Sequence, residues 1–245
     1  MTETRPEFVD ADLRGARFVR ADLTGVVMRA VEVDDADIDA PWLLNGDAAL
    51  LVNGVDVVPF VEAELNRRFP GRADRRAGTP EDLASAWAAV EEAWAAAADR
   101  AATMPDGSVD VRVDGEWSFA ETLRHLLMAT DTWLRGAVLG IDRPYHPIGL
   151  PHAEYATDGY DTSVFSEEQP SYDDVLAARA ERAATVRDFI ADATADLLDE
   201  PRPNPWAPDR TESVRACLHV ILEEEWEHLR YALRDLDAIA ATNTA

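Results

Sequence analysis

Three side chains in this sequence have the types and spacing to hold a divalent metal. Glu224 and His228 lie four residues apart in LHVILEEEWEHLRYALRDL, Leu218 to Leu236. If that stretch is one long helix, both project from the same face, one turn apart. His125 lies far upstream in a second apolar stretch, WSFAETLRHLLMATDTWL, among Leu123, Leu126, Leu127 and Met128. Two ligands from one helix and a third from a facing helix is a common way to hold a metal in a bundle core. Imidazole and carboxylate ligate Zn²⁺ and other first-row divalent ions. Three protein donors leave positions open for water or substrate, which marks a catalytic rather than a structural site. Zn²⁺ is the first expectation, with Ni²⁺, Fe²⁺ and Mn²⁺ also suited.

The remaining candidates are set aside by position. His219 is nine residues from His228. At ~100° per residue that is a turn of ~900°, so the two face opposite sides and cannot share an ion. His146 and His152 stand in a stretch rich in Pro, Gly and Tyr, in YHP and PHA contexts. Cys217, the single cysteine, lies close to the face of Glu224, but a lone helical cysteine reads as packing rather than as a fourth ligand. No general acid or base can be placed.

Long helices must position these residues, and four are expected. Thr79 caps the first, with Pro80 opening it and Trp87, Val90 and Trp94 forming an apolar stripe. Ser118 and Glu121 form a capping box at the start of the second, which runs to Gly140. Ser171 caps the third, which extends to ADLL, and the fourth runs from about Thr211 to Ile239. The long connections Ile141 to Pro170 and Glu200 to Arg210 complete a four-helix bundle. The first of them is the better candidate for a substrate lid, on length alone.

Upstream the pattern changes. From Pro6 the chain falls into fives, PEFVD, ADLRG, ARFVR, ADLTG, VVMRA, VEVDD and ADIDA, with apolar centres Phe8, Leu13, Phe18, Leu23, Met28, Val33 and Ile38. A period of five fits neither helix nor strand. It fits a coil of square cross-section with the centres pointing inward. This run resembles a pentapeptide-repeat right-handed β-helix, and ADLRG, ADLTG and ADIDA are nearest that family's usual form. The run makes under two coils, so it is expected to lean on other surfaces or to dock a protein partner. Ala48 to Val58 reads as two short strands around an Asn53-Gly54 turn that extend or close the coil. Pro59 opens a further helix, FVEAELNRRF, and RADRRAG, Arg72 to Gly78, reads as a linker. The expected division is residues 6–58 for the repeat segment, 59–78 for helix and linker, and 79–240 for the bundle.

WSFAETLRHLLMATDTWL and CLHVILEEEWEHLRYALRDL together resemble the DinB/YfiT superfamily, over Thr79 to about Ile239, roughly two thirds of the chain. The resemblance implies a four-helix bundle with one metal ligand from the second helix and two from the last. The Glu-x-x-x-His spacing is most similar to the mycothiol-dependent maleylpyruvate isomerase branch, which implies His125, Glu224 and His228 as ligands. It further implies a metal-dependent transferase or isomerase that joins a low-molecular-weight thiol, mycothiol or bacillithiol in kind, to a small electrophile. Arg124 and Arg230 are candidates to meet carboxylates of such a thiol, although surface ion pairs account for them more simply. The rival expectation is a non-catalytic binding or regulatory protein, in which the repeat coil docks a partner and the bundle is a scaffold.

Composition narrows the setting. Asp+Glu number 48 against 23 Lys+Arg, a net charge of −25, which disfavours nucleic-acid and anionic-membrane partners. One cysteine allows no disulfide framework, and there is no leader-like start and no apolar run near ~20 residues. A cytoplasmic location is expected.

Overall fold

The structure is a computed structural model that describes residues 7–44 and 46–243. Contacts divide the chain into two compact units, residues 1–40 and 41–245.

In the first unit the five-residue repeat is visible in the backbone. Left-handed φ angles recur at Asp10, Gly15, Arg20, Gly25, Ala30 and Asp35. Ala16, Val26 and Ala36 donate backbone hydrogen bonds to Leu13, Leu23 and Val33, one turn every ten residues. Among the described residues 7–40 no strand is present, so the expected β-helix is not seen. Nor do the repeat centres point into a core. Leu13 and Leu23, the least exposed of the seven, are each 47% exposed. A run of under two coils gives each unit at most one neighbouring coil to bury against. Pro6, the first residue of the expected run, lies outside the described residues.

The second unit begins with a short 3-10 turn, Pro41–Leu44, and a two-stranded hairpin, β1 (Leu51–Val52) and β2 (Val55–Asp56). Asn53 and Gly54 both have positive φ, as a tight hairpin turn requires. Contacts group this hairpin with the helices. Helix α1 (Val58–Arg68) follows.

The segment expected to be a linker is packed. Gly71 has φ +94°, and a Cβ there would stand 2.5 Å from that of Ala89, so only glycine fits. Arg72 is 1% exposed, donating to Glu62, Asn66 and Glu227 at 3.1, 2.8 and 3.2 Å. Arg75 reaches Glu62 at 2.8 Å. Composition alone reads RADRRAG as a linker, whereas Arg72 and Arg75 are buried because carboxylates from α1 and from the last helix surround them.

Four helices enclose the core: α2 (Pro80–Ala102), α3 (Phe119–Thr130), α4 (Tyr172–Asp192) and, after the short α5 (Ala195–Leu198), α6 (Val214–Asn243). Helices α2 and α3 each pack on both α4 and α6, so the four close a ring. Trp87, Leu126, Ile190, Ile221 and Trp226 fill it, each 2% exposed or less. Burying one such side chain contributes about 1.5–3 kcal/mol. Among the described residues no helix is long and apolar enough to cross a membrane.

The third expected helix stops early. Thr194 caps α5 by accepting from Leu197 N, which takes the backbone out of the α4 path at Ala193. Strand β3 (Pro201–Pro203) pairs with β4 (Thr211–Ser213), so the last helix starts at Val214. The second expected helix also differs. After Thr130 it continues as a π-helix, Asp131–Val138, in which Leu139 N donates to Leu134 O, five residues back. Side-chain periodicity over so short a run does not separate π from α.

The capping box at the start of α3 is present in full: Ser118 Oγ accepts from Glu121 N, and Glu121 accepts from Ser118 N. Arg112 pairs with the same carboxylate. Ser118→Ala is expected to lower stability by about 1 kcal/mol in urea unfolding. A loss below about 0.3 kcal/mol would mean the cap contributes nothing to α3.

Candidate metal centre

The capped start of α3 places Trp117 and His125, and α6 supplies Glu224 and His228. One donor atom from each of His125, Glu224 and His228 lies within 4.8 Å of the other two. His228 Nε2 is 3.2 Å and His125 Nε2 3.6 Å from the same oxygen, Glu224 Oε2. Ligands at ~2.0–2.2 Å around one tetrahedral ion stand ~3.3–3.6 Å apart, so these separations fit a shared ion.

Hydrogen bonding supports the fit. His125 Nδ1 is 3.1 Å from the carbonyl oxygen of Leu150, to which it donates. In the neutral ring Nε2 then carries a lone pair that faces the Glu224 carboxylate, an arrangement a cation between them relieves. Burial by itself would raise Glu224, but the two imidazoles outweigh it and hold the carboxyl well below the usual carboxylate range. Burial lowers His228, favouring the neutral ring, against the pull of Glu224. Ionised carboxylate and neutral imidazole are the forms that ligate a metal.

The cluster forms part of the wall of a cavity of about 650 Å³. Trp117 covers it, with ring centroids 4.5 Å from His125 and 5.9 Å from His228. Trp42, Trp133, Tyr160, Trp206 and Tyr231 add aromatic surface to the same wall. No arginine lines it, so among the described residues neither Arg124 nor Arg230 meets a ligand there. Arg124 Nε donates to Ile148 O at 2.8 Å, and Arg230 pairs with Glu227 at 3.0 Å.

A model of the DinB superfamily matches residues 89–232, more than half of the chain. The chain belongs to the DinB superfamily. Its DinB region takes in all three donors, whereas the packed Gly71–Arg75 segment and Trp42 lie outside it. A model of pentapeptide repeats matches residues 7–39, in eight copies. No curated protein and no solved structure matches this DinB chain.

The histidines set aside by sequence divide in two. His219 Nε2 is 2.8 Å from Ala77 O, away from the cavity, as helical phase requires. His146 accepts from Ile148 N within its own loop. His152, however, lines the cavity. No periodicity marks an aperiodic loop, so nothing in the sequence could have placed it there. Trp117 was legible in principle, since the residue before a capping-box serine often packs on the helix it precedes. Cys217 is fully buried, and burial pushes its thiol up to about 11, so it is a core side chain and not a ligand.

The loop after α3 is fastened along its first part. Leu150 N donates to Arg124 O, Arg135 donates to Pro144 O, and His146 N donates to Asp131 at 3.0, 2.9 and 2.7 Å.

Proposed function

We propose that this protein is a metal-dependent enzyme that uses a low-molecular-weight thiol, of the mycothiol or bacillithiol kind, in a transfer or isomerisation of a small electrophile. The observation that carries the reading is a three-donor His-Glu-His cluster set in the wall of an aromatic cavity large enough for two small molecules. His125 and His228 through Nε2 and Glu224 through Oε2 would hold the ion. Once bound, a divalent ion supplies positive charge that favours the thiolate form of a thiol. The chain's own part is positional. Leu150 fixes the His125 ring, and Trp117 covers both imidazoles and excludes water. The aromatic walls offer apolar faces to the electrophile and to the carbon skeleton of the thiol.

Metal-loaded protein titrated with mycothiol and, separately, bacillithiol tests this by calorimetry, followed by turnover of a generic electrophile. The expected result is saturable binding of one thiol at or below millimolar concentration, with thiol-dependent consumption of the electrophile. Loaded protein that binds neither thiol at millimolar concentration would leave the scaffold reading, with the repeat segment as a partner-docking module.

A further inference from the structure

We propose that His152 is the proton carrier of this site, taking the proton of the thiol as it reacts and returning it to the product. This rests on the functional reading above. His152 lines the same cavity as His125, Glu224 and His228. Its ring is held edge-on by Tyr155 and Trp206, with centroids 5.5 and 5.4 Å away and interplanar angles of 83° and 90°. Such packing fixes the ring without engaging its nitrogens. Of the five histidines, the other four are each engaged, by Leu150, Ile148, Ala77 or Glu224. Among the described residues, His152 alone has both ring nitrogens without a hydrogen-bond partner.

The loop's fastening places it. The Leu150 carbonyl that orients His125 stands two residues before His152, so one backbone segment sets both rings. Other wall groups are less suited to the task. Glu223 is paired with Arg76 at 3.4 Å, and Glu227 with Arg72 at 3.2 Å and Arg230 at 3.0 Å. Glu154 and Asp158 are exposed carboxylates on the loop. Burial, followed by the charge of His125, presses His152 toward its neutral form, against Glu154, Asp158 and Glu224. A neutral imidazole at neutral pH is a ready base.

In the step, the S–H bond breaks and an N–H bond forms on His152. The sulfur electron pair forms a C–S bond to an electrophile with a polarised double bond. The displaced π pair then takes the proton back from His152. No further reactant is consumed.

The test compares wild type with His152→Phe, which keeps the edge-on packing, and His152→Ala. Metal content and mycothiol binding are measured alongside turnover. Both variants are expected to retain metal and thiol binding within about 2-fold while kcat falls ~100-fold or more. Added imidazole should restore turnover in His152→Ala, which a packing role would not allow. The wild-type rate should fall on the acid side, below about pH 6.5, and that limb should vanish in His152→Phe. The groups that shape the limb are His125 from α3, Glu224 from α6, and Glu154 and Asp158 from the loop itself. Unchanged kcat in His152→Phe overturns this role while leaving the thiol reading intact. Wild type that binds metal but neither binds nor turns over thiol overturns both.

Discussion

Glu224→Ala is expected to lose its divalent ion while keeping its fold. The carboxylate is the shared partner of both imidazoles, at 3.2 and 3.6 Å, so removing it leaves two donors where three converged. Loss of an outer partner of a metal ligand already costs about 10- to 100-fold in affinity, and loss of a ligand itself should exceed that. The side chain faces a cavity rather than the core, so truncation leaves no void in the packing. Metal analysis of protein purified without chelator should give close to one ion per wild-type chain and far less for the variant. Thermal unfolding supplies an independent readout. Added Zn²⁺ at about 100 times its dissociation constant stabilises a binding chain by about 2.7 kcal/mol, and it should leave Glu224→Ala unmoved. Equal metal content and equal thermal shift in the two proteins would show that these three side chains are not the ligands.

Asp131→Ala is expected to be the most damaging single change in the bundle. Asp131 is fully buried, accepts from Arg182 at 2.5 Å and from the His146 backbone N–H at 2.7 Å, and forms an ion pair with Arg135 at 3.2 Å. Its removal strands a buried guanidinium and a backbone donor together. Breaking one side of a buried ion pair typically costs 3–5 kcal/mol. Arg182 keeps Glu181 and Arg135 keeps the Pro144 carbonyl, which places the expected loss near the lower end, about 3 kcal/mol. Urea unfolding reads this directly, and a loss under about 1 kcal/mol would mean the residue is not the lock between α4, the π-helix and the loop.

How much of this was legible follows from the physics of each element. The pairing of Glu224 with His228 was readable because i,i+4 spacing is a local property of a helix, and the same phase argument put His219 on the opposite face; the convergence of His125 on them depends on how two helices pack and rested on the family resemblance. The capped helix starts were readable for the same reason, as Ser118 and Glu121 act within one turn. His152 was not readable, because its place depends on where an aperiodic loop is fastened, through Arg124, Asp131 and Arg135 on another element. The burial of Arg72 and Arg75 was hidden in the same way: their partners Glu62, Glu223 and Glu227 come from α1 and α6. The five-residue period of the N-terminal segment was legible and is present in its φ angles. Strands are not seen among the described residues of that segment.

The π-helix at Asp131–Val138 makes the length of the chain a functional quantity in its own right. Hydrogen bonds that span five residues accommodate an extra residue beyond what an α-helix of equal reach would hold. Deleting any one residue of the segment could restore a plain α-helix without straining a backbone angle. It would also change the faces that the side chains between Asp131 and Val138 present. Asp131 and Arg135, which fasten the loop at His146 and Pro144, belong to that stretch and depend on its register. A variant with every site residue intact could thus lose the loop's fastening through miscounting alone.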